Sequence, residues 1–461
     1  MSACAKILIL DLVGLAFGPD GAPDASAVIA HIEARGGVFV KGSQRDFPPQ
    51  PEAAGKPHFY YLPMLSTEAE ILAEAGEGQY DAVIAAASFI PKGARFDLGG
   101  VRIGAGTGNM GALSWGGGDG IGGVAPLMNT PGINARATAQ MAMKALLRVS
   151  PDLPVEEMHH LVATGQFDTG RDLAKYPTAK LEGRALGVIG YGNIGRELAK
   201  LARAFGMEVR IHARVRHRQW IESEGFLYAQ TPLEAARGAH ALSVHVGLGR
   251  LGPEGYANAG LINGDLIEAL QEGAVLINYD RGELVDVAAL GAALASGRLA
   301  HAAIDADLFR DATSGKLSGP MLPYLDLVQE HGAKLSLLPH AAADTDHPTR
   351  VAGAKQAVDQ ILDAIERREI RNLKGDLPEG YRDLGALRPL GLGAVSARDL
   401  QERLCRGGEG AALLAEAKRF VAALEAVLAG DCAGQGEALL LSANRLPVTL
   451  HRLGLEGRFE G

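Results

Sequence analysis

No apolar run in this 461-residue chain approaches the roughly 18 residues needed to cross a bilayer, so a membrane-spanning protein is not expected. The opening, MSACAKILILDLVG, is apolar but has no basic leader and no clear cleavage site. It runs straight into Asp11 and reads as a first β-strand, not a signal peptide. Cysteine is scarce. Cys4, Cys405 and Cys432 are odd in number, far apart, and form neither a CxxC pair nor a zinc spacing. That argues against a disulfide framework and against a metal site, and points to a reducing, cytoplasmic setting. Positive charge is in deficit: 45 Lys and Arg stand against 54 Asp and Glu, a net charge of −9. Neither nucleic acid nor an acidic membrane surface is therefore an expected partner.

The length implies two or three domains. The most informative stretch is Ala185 to Arg214, which reads strand, glycine turn, helix, strand. Gly190-Tyr191-Gly192-Asn193-Ile194-Gly195 fits GxGxxG and follows the apolar run Ala185–Ile189 at once. A bare GxGxxG is weak among 61 glycines, but the flanking strands and helix make it a dinucleotide-binding turn. Gly190 permits the tight turn, Gly192 lets the backbone approach a pyrophosphate, and Gly195 lets helix and strand pack closely. The helix N-terminus offers amides and the positive end of its dipole to the phosphates, with Asn193 and Ile194 in that first turn.

Residues 1–133 alternate strands (6–10, 38–40, 81–85, 101–105) with helices (26–35, 68–75), the pattern of a parallel sheet covered on both faces. Gly104 to Asn109 follows a strand and is either a plain loop or an anion nest of backbone amides. Gly116–Gly123 reads as flexible. A helix is expected from Ala135 to about Arg148, and the His159-His160 pair reads as surface. From 181 to about 340 strand and helix alternate again. Gly190, His245, Arg281, Asp305 and His340 all fall where strands end, which is where open α/β sheets bind ligands. A helix is expected over 351–368. Ser396-Ala397-Arg398-Asp399 fits a capping box ahead of an Ala/Leu/Glu-rich tail with a helix over 409–428. The tail carries no catalytic constellation and reads as a packing or oligomerisation element.

Together these landmarks resemble the D-2-hydroxyacid dehydrogenase family, which includes phosphoglycerate dehydrogenases and glyoxylate/hydroxypyruvate reductases. The likeness covers roughly residues 5–375 and is most specific in NTPGINARATAQMA (129–142), LEGRALGVIGYGNIGRELA (181–199), LINYDRGELVDVAAL (276–290) and LPHAAADT (338–345). It implies an α/β fold of two Rossmann-like, doubly wound parallel-sheet domains with a cleft between them. The expected domains are a split substrate-binding domain (1–133 and 345–384), a dinucleotide-binding domain (134–344) and a helical C-terminal extension (390–461). It also implies a homodimer, and hydride transfer between a nicotinamide cofactor and a small D-2-hydroxy or 2-oxo acid.

By motif, Arg281 resembles the substrate-binding arginine and His340 the general acid/base. Asp305 resembles the residue that hydrogen-bonds the nicotinamide carboxamide, and His245 falls to the cofactor site. Gly106-Thr107-Gly108 resembles the loop that binds the substrate carboxylate. Three departures stand out. The glutamate that pairs with the histidine in the family's DVFxxEP-like segment is missing: Asp305-Ala306-Asp307-Leu308-Phe309-Arg310-Asp311 stands there, leaving Asp311, or Asp307, as the acidic partner. A weaker partner implies a less basic His340 and a lower pH optimum. An early Arg-Ser pair is replaced by Ala86-Ala87-Ser88-Phe89, which speaks against a phosphorylated substrate bound in the usual way. The acid expected after the second Rossmann strand is replaced by Ala213, with Arg214, Arg216 and Arg218 following, which favours NADP over NAD. Two alternatives remain: a phosphoglycerate dehydrogenase of serine synthesis, and a non-catalytic dinucleotide sensor on the same fold.

Overall fold

The computed structural model describes residues 4–459 except 13, 50–54, 77, 116–122, 150–153, 177–179, 250, 254, 312–313, 341–345 and 388–393. Residues 116–122 of the expected flexible turn at 116–123 and most of the LPHAAADT motif lie outside the described residues. Two seven-stranded sheets organise the chain up to Leu387. In the first, β1 (Lys6–Ile9), β2 (Val38–Lys41), β3 (His58–Tyr61), β4 (Ala82–Ala85), β5 (Gly99–Arg102) and β6 (Leu127–Asn129) run in the order β6-β5-β4-β1-β3-β2. All are parallel. A late strand, Leu373–Lys374, returns to pair antiparallel with β6. The interior strands read as continuous apolar runs because both faces of a parallel sheet are covered. α1 (Ser26–Ala34) lies on one face and α2 (Glu68–Ala75) on the other.

The second sheet follows α3 (Ala135–Val149). β7 (Ala185–Ile189), β8 (Glu208–His212), β9 (Leu227–Ala229), β10 (Ala241–Val244), β11 (Ala274–Asn278), β12 (Leu299–Ala306) and β13 (Leu335–Pro339) run in the order β13-β12-β11-β10-β7-β8-β9. These are also all parallel. The strand order reverses between β7 and β10, and such a switch point opens a crevice at the carboxyl ends of the strands. α4 (Asn193–Ala204) and α5 (Val287–Ser296) cover opposite faces. Beyond the second sheet, α6 (His347–Arg367) goes back to the first one and buries Ala354, Ala357, Val358, Ile361 and Leu362 there.

Several boundaries differ from those read along the chain. α4 begins at Asn193, inside the glycine motif, with Gly192 as its N-cap. α6 begins at His347 because the Asp346 side chain accepts from the Thr349 amide and Pro348 opens the first turn. β5 stops at Arg102, three residues short of expectation, because Gly104 turns the chain at φ +124°. β3 was not anticipated, nor was a short helix over Val155–Ala163.

The chain from 388 onward forms a compact unit of its own. It contains α7 (Ala397–Cys405), α8 (Glu409–Leu428) and α9 (Cys432–Arg452), the last two packed side by side. The expected capping box is present: the Ser396 hydroxyl accepts from the Asp399 amide while the Asp399 carboxylate accepts from the Ser396 amide. Among the described residues, no helix is long and apolar enough to cross a membrane, and no three His, Cys, Asp or Glu side chains cluster as metal ligands.

Candidate active site

The glycine turn is shaped by three different demands. Gly190 sits at φ +109°, and a Cβ there would lie 2.2 Å from the His245 carbonyl oxygen. A Cβ on Gly195 would lie 2.2 Å from the carbonyl oxygen of Gly190. Those two glycines allow close packing within the protein. A Cβ on Gly192 would meet nothing within 4 Å. The space beside Gly192, at the N-terminus of α4, is therefore open. Tyr191, between the first two glycines, is pinned by its hydroxyl to the Glu224 carboxylate, which also accepts from Arg196 Nε at 2.8 Å.

Gly192, Asn193 and Ile194 line one end of a cavity of about 500 Å³. Its other walls include the loop Gly106-Thr107-Gly108 from the first sheet, and His245, Arg281, Asp305 and His340 from the second. So the residues expected at strand ends do converge. Four expected site residues lie outside this cavity: Gly190 and Gly195, which are packed within the turn, and Arg214 and Asp311.

His340 and Asp305 form the core of the site. His340 Nδ1 lies 2.9 Å from Asp305 Oδ1, and Asp305 is 1% exposed. This corrects one expectation. The acidic partner of His340 is Asp305, not Asp311. Register explains the pairing. β12 and β13 are adjacent and parallel, with Asp305 opposite Leu338 and Ala306 opposite Pro339. The His340 amide donates to the Ala306 carbonyl at 2.9 Å, which places both side chains at the same sheet edge. Asp311 has already turned away into a surface hairpin, where its carboxylate accepts from the Ser314 amide and hydroxyl at 2.6 and 2.7 Å. Asp307 faces Arg281 instead, with Nη1 and Oδ2 3.7 Å apart.

Electrostatics sets the protonation state of this cluster. Burial, joined by the guanidinium groups of Arg281, Arg102 and Arg350, holds His340 well below the usual imidazole range. The Asp305 carboxylate acts in the opposite direction and orients the ring. Burial drives His245 down to about 3, so it is a neutral side chain. Its Nε2 lies 2.8 Å from the Ser243 hydroxyl. Asp280, next to Arg281, is pushed up to about 7 by burial, against the pull of Arg281 and Arg102.

Arg102 and Asp280 line the same cavity and were missed in the sequence. The strand-end rule finds both once the boundaries are right: Asp280 follows β11 by two residues, and Arg102 is the last residue of β5. The turn 86–88, where the Arg-Ser pair is absent, is used internally: Asp11 accepts from the amides of Ala86 and Ser88 at 2.6 Å each.

At the far end of β8, Ala213 is half-buried and Arg214, which follows it, is exposed. Arg216 is exposed, whereas Arg218 pairs with Glu222 at 2.8 Å.

Residues 151–316 match the family described as D-isomer specific 2-hydroxyacid dehydrogenase, NAD binding domain. The chain is 30% identical over 237 residues to the glyoxylate reductase of Aeropyrum pernix, covering 51% of this chain and 64% of that one. It is 33% identical over 182 residues to the glyoxylate reductase of Thermococcus litoralis, covering 38% and 52%. These matches thus span between half and two thirds of the relatives' length. In fold, it resembles the NAD+-bound 3-phosphoglycerate dehydrogenase of Entamoeba histolytica, with a TM-score of 0.54 at 16% identity, over 81% of this chain and all of that one. Residues 151–316 are thus similar to the nucleotide-binding domain of the D-isomer specific 2-hydroxyacid dehydrogenase family, and the fold is similar to that of a 3-phosphoglycerate dehydrogenase.

Proposed function

We propose that the chain catalyses reversible hydride transfer between a nicotinamide cofactor and a small 2-oxo or D-2-hydroxy acid. The observation that carries this reading is the His340–Asp305 pair standing in one cavity with Arg281 and the N-terminus of α4. The cofactor supplies the hydride. Arg281 holds the substrate carboxylate and polarises its carbonyl through charge-assisted hydrogen bonds, with the Gly106–Gly108 loop offering amides from the other side. Asp305 holds Nδ1 of His340, which leaves Nε2 to deliver a proton to the substrate oxygen as the alkoxide forms. In the reverse direction the neutral ring accepts that proton. The non-catalytic alternative rested on a missing acid; Asp305 in contact with His340 weakens it.

On this reading residues 1–133 and 345–384 bind substrate, 134–344 bind the dinucleotide, and the molecule works as a cytoplasmic homodimer. NADP is the preferred cofactor. Ala213 removes the carboxylate that would repel a 2′-phosphate, and the exposed guanidinium groups of Arg214 and Arg216 after it favour pairing with one. Titrating NADPH and NADH against a panel of 2-oxo acids tests both statements. We expect oxidation with at least one acid and a kcat/KM for NADPH at least about tenfold above that for NADH. Equal or better use of NADH overturns the preference, and binding of cofactor without any turnover overturns the enzyme.

A further inference from the structure

The chain leaves β10 directly against the glycine turn. A Cβ on Gly190 would lie 2.9 Å from Val246 Cγ1, so the two segments meet where the strand order reverses. Val246 and Leu248 then pack against the core on the face of the sheet opposite α4. Beyond them Leu251–Gly252 and Gly255–Tyr256 pair antiparallel and form a hairpin. Gly255, at φ +109°, permits the return of the chain. Asn258 ties the base of this hairpin. Its Oδ1 accepts from the Gly249 amide at 2.6 Å, and its Nδ2 donates to the Gly247 carbonyl at 3.0 Å.

Gly247 and Tyr256 line the same cavity as Gly192 and Asn193. A Cβ on Gly247, like one on Gly192, would meet nothing within 4 Å. Backbone bare of side chains therefore borders the cavity on both sides of the switch point, at the N-terminus of α4 and at the start of the hairpin. Tyr256 is half-buried in the cavity wall, and among the described residues its hydroxyl has no hydrogen-bond partner. A tyrosine offers a flat apolar body and a polar tip, and when partly buried it usually finds a partner for that tip. A dinucleotide has the matching mixture of flat rings and apolar ribose edges with hydroxyls and phosphate oxygens.

We infer that this hairpin is a second wall of the dinucleotide site and that Tyr256 touches the bound cofactor. The Tyr256 ring packs against the ribose–pyrophosphate stretch, across from the N-terminus of α4, and its hydroxyl donates to a ribose or phosphate oxygen. Arg281 and His340 remain with the substrate. The inference rests on the reading of the chain as a nicotinamide-dependent enzyme and extends its cofactor site beyond the glycine motif.

Fluorescence titration of reduced cofactor, NADPH or NADH, with the full chain and no substrate tests it. Tyr256→Ala is expected to raise the cofactor Kd at least about tenfold, and Tyr256→Phe, which keeps the ring, about threefold. The KM for the 2-oxo acid at saturating cofactor should move by less than about twofold in both. Asn258→Ala, which unties the base of the hairpin, should raise the cofactor Kd about threefold. Denaturant midpoints establish that the variants are folded; should Tyr256→Ala not fold, Tyr256→Phe and Asn258→Ala carry the test. Cofactor Kd values within about twofold of wild type in the folded variants, or a raised substrate KM at unchanged cofactor Kd, would overturn the inference. Either result, with cofactor bound by the wild-type chain, would leave the dehydrogenase reading standing. A wild-type chain that binds neither NADPH nor NADH would remove that reading itself.

Discussion

His340 sits between a carboxylate that favours its protonated form and three arginines that oppose it. Burial sides with the arginines, and the result is an imidazole that is neutral in the free protein at neutral pH. Reduction needs the protonated ring as acid, and oxidation needs the neutral ring as base. The sign follows: kcat/KM for reduction should fall as pH rises through the lowered value, with its limb below 6.5, and kcat/KM for oxidation should rise through the same limb. A limb at or above pH 7 in both directions would mean that Asp305 outweighs the arginines. Substitutions separate the partners. His340→Ala should lower turnover by about two orders of magnitude while reduced cofactor still binds, as read by its fluorescence. Asp305→Asn should cost about tenfold or more in turnover, because the ring loses its counter-charge, while Asp311→Asn should stay within about twofold of wild type. Were Asp311→Asn the more damaging of the two, the register-based pairing would be wrong.

At the scale of the element, the glycine turn between β7 and α4 makes separable demands on stability and on binding. Gly190→Ala places a methyl against the His245 carbonyl and forces a left-handed backbone on alanine. A loss of about 2–4 kcal/mol in denaturant unfolding is expected. Gly192 has φ −83° and open space beyond it, so Gly192→Ala should fold within about 1 kcal/mol of wild type yet raise the cofactor Kd at least about tenfold. Similar stability losses in both variants would show that Gly192 serves packing. This element was legible beforehand because its information is local: apolar run, glycine spacing and helix lie within about 20 residues of one another. The end of β5 was not, because a strand ends where its neighbour's pairing ends, and that depends on β6 and on the turn at Gly104.

For the whole molecule, the two sheets up to Leu387 hold every residue of the candidate site, and the helices beyond form a separate compact unit. A chain ending at Leu387 is therefore expected to fold, to bind reduced cofactor and to reduce 2-oxo acids with kcat/KM within about threefold of the full chain. A larger loss with normal folding would assign the tail a part in catalysis or assembly. What the sequence by itself determined were features written in short-range spacing: two sets of alternating strands and helices, the dinucleotide turn, and the strand ends carrying Arg281 and His340. Only the tertiary structure decided which side chains meet there. Asp305 reaches His340 across 35 residues of chain because two strands align in one register, and Arg102 reaches the same cavity from another sheet. Periodicity encodes which face of an element is buried, but contacts between distant strand ends depend on strand order and register, which packing of the whole chain sets.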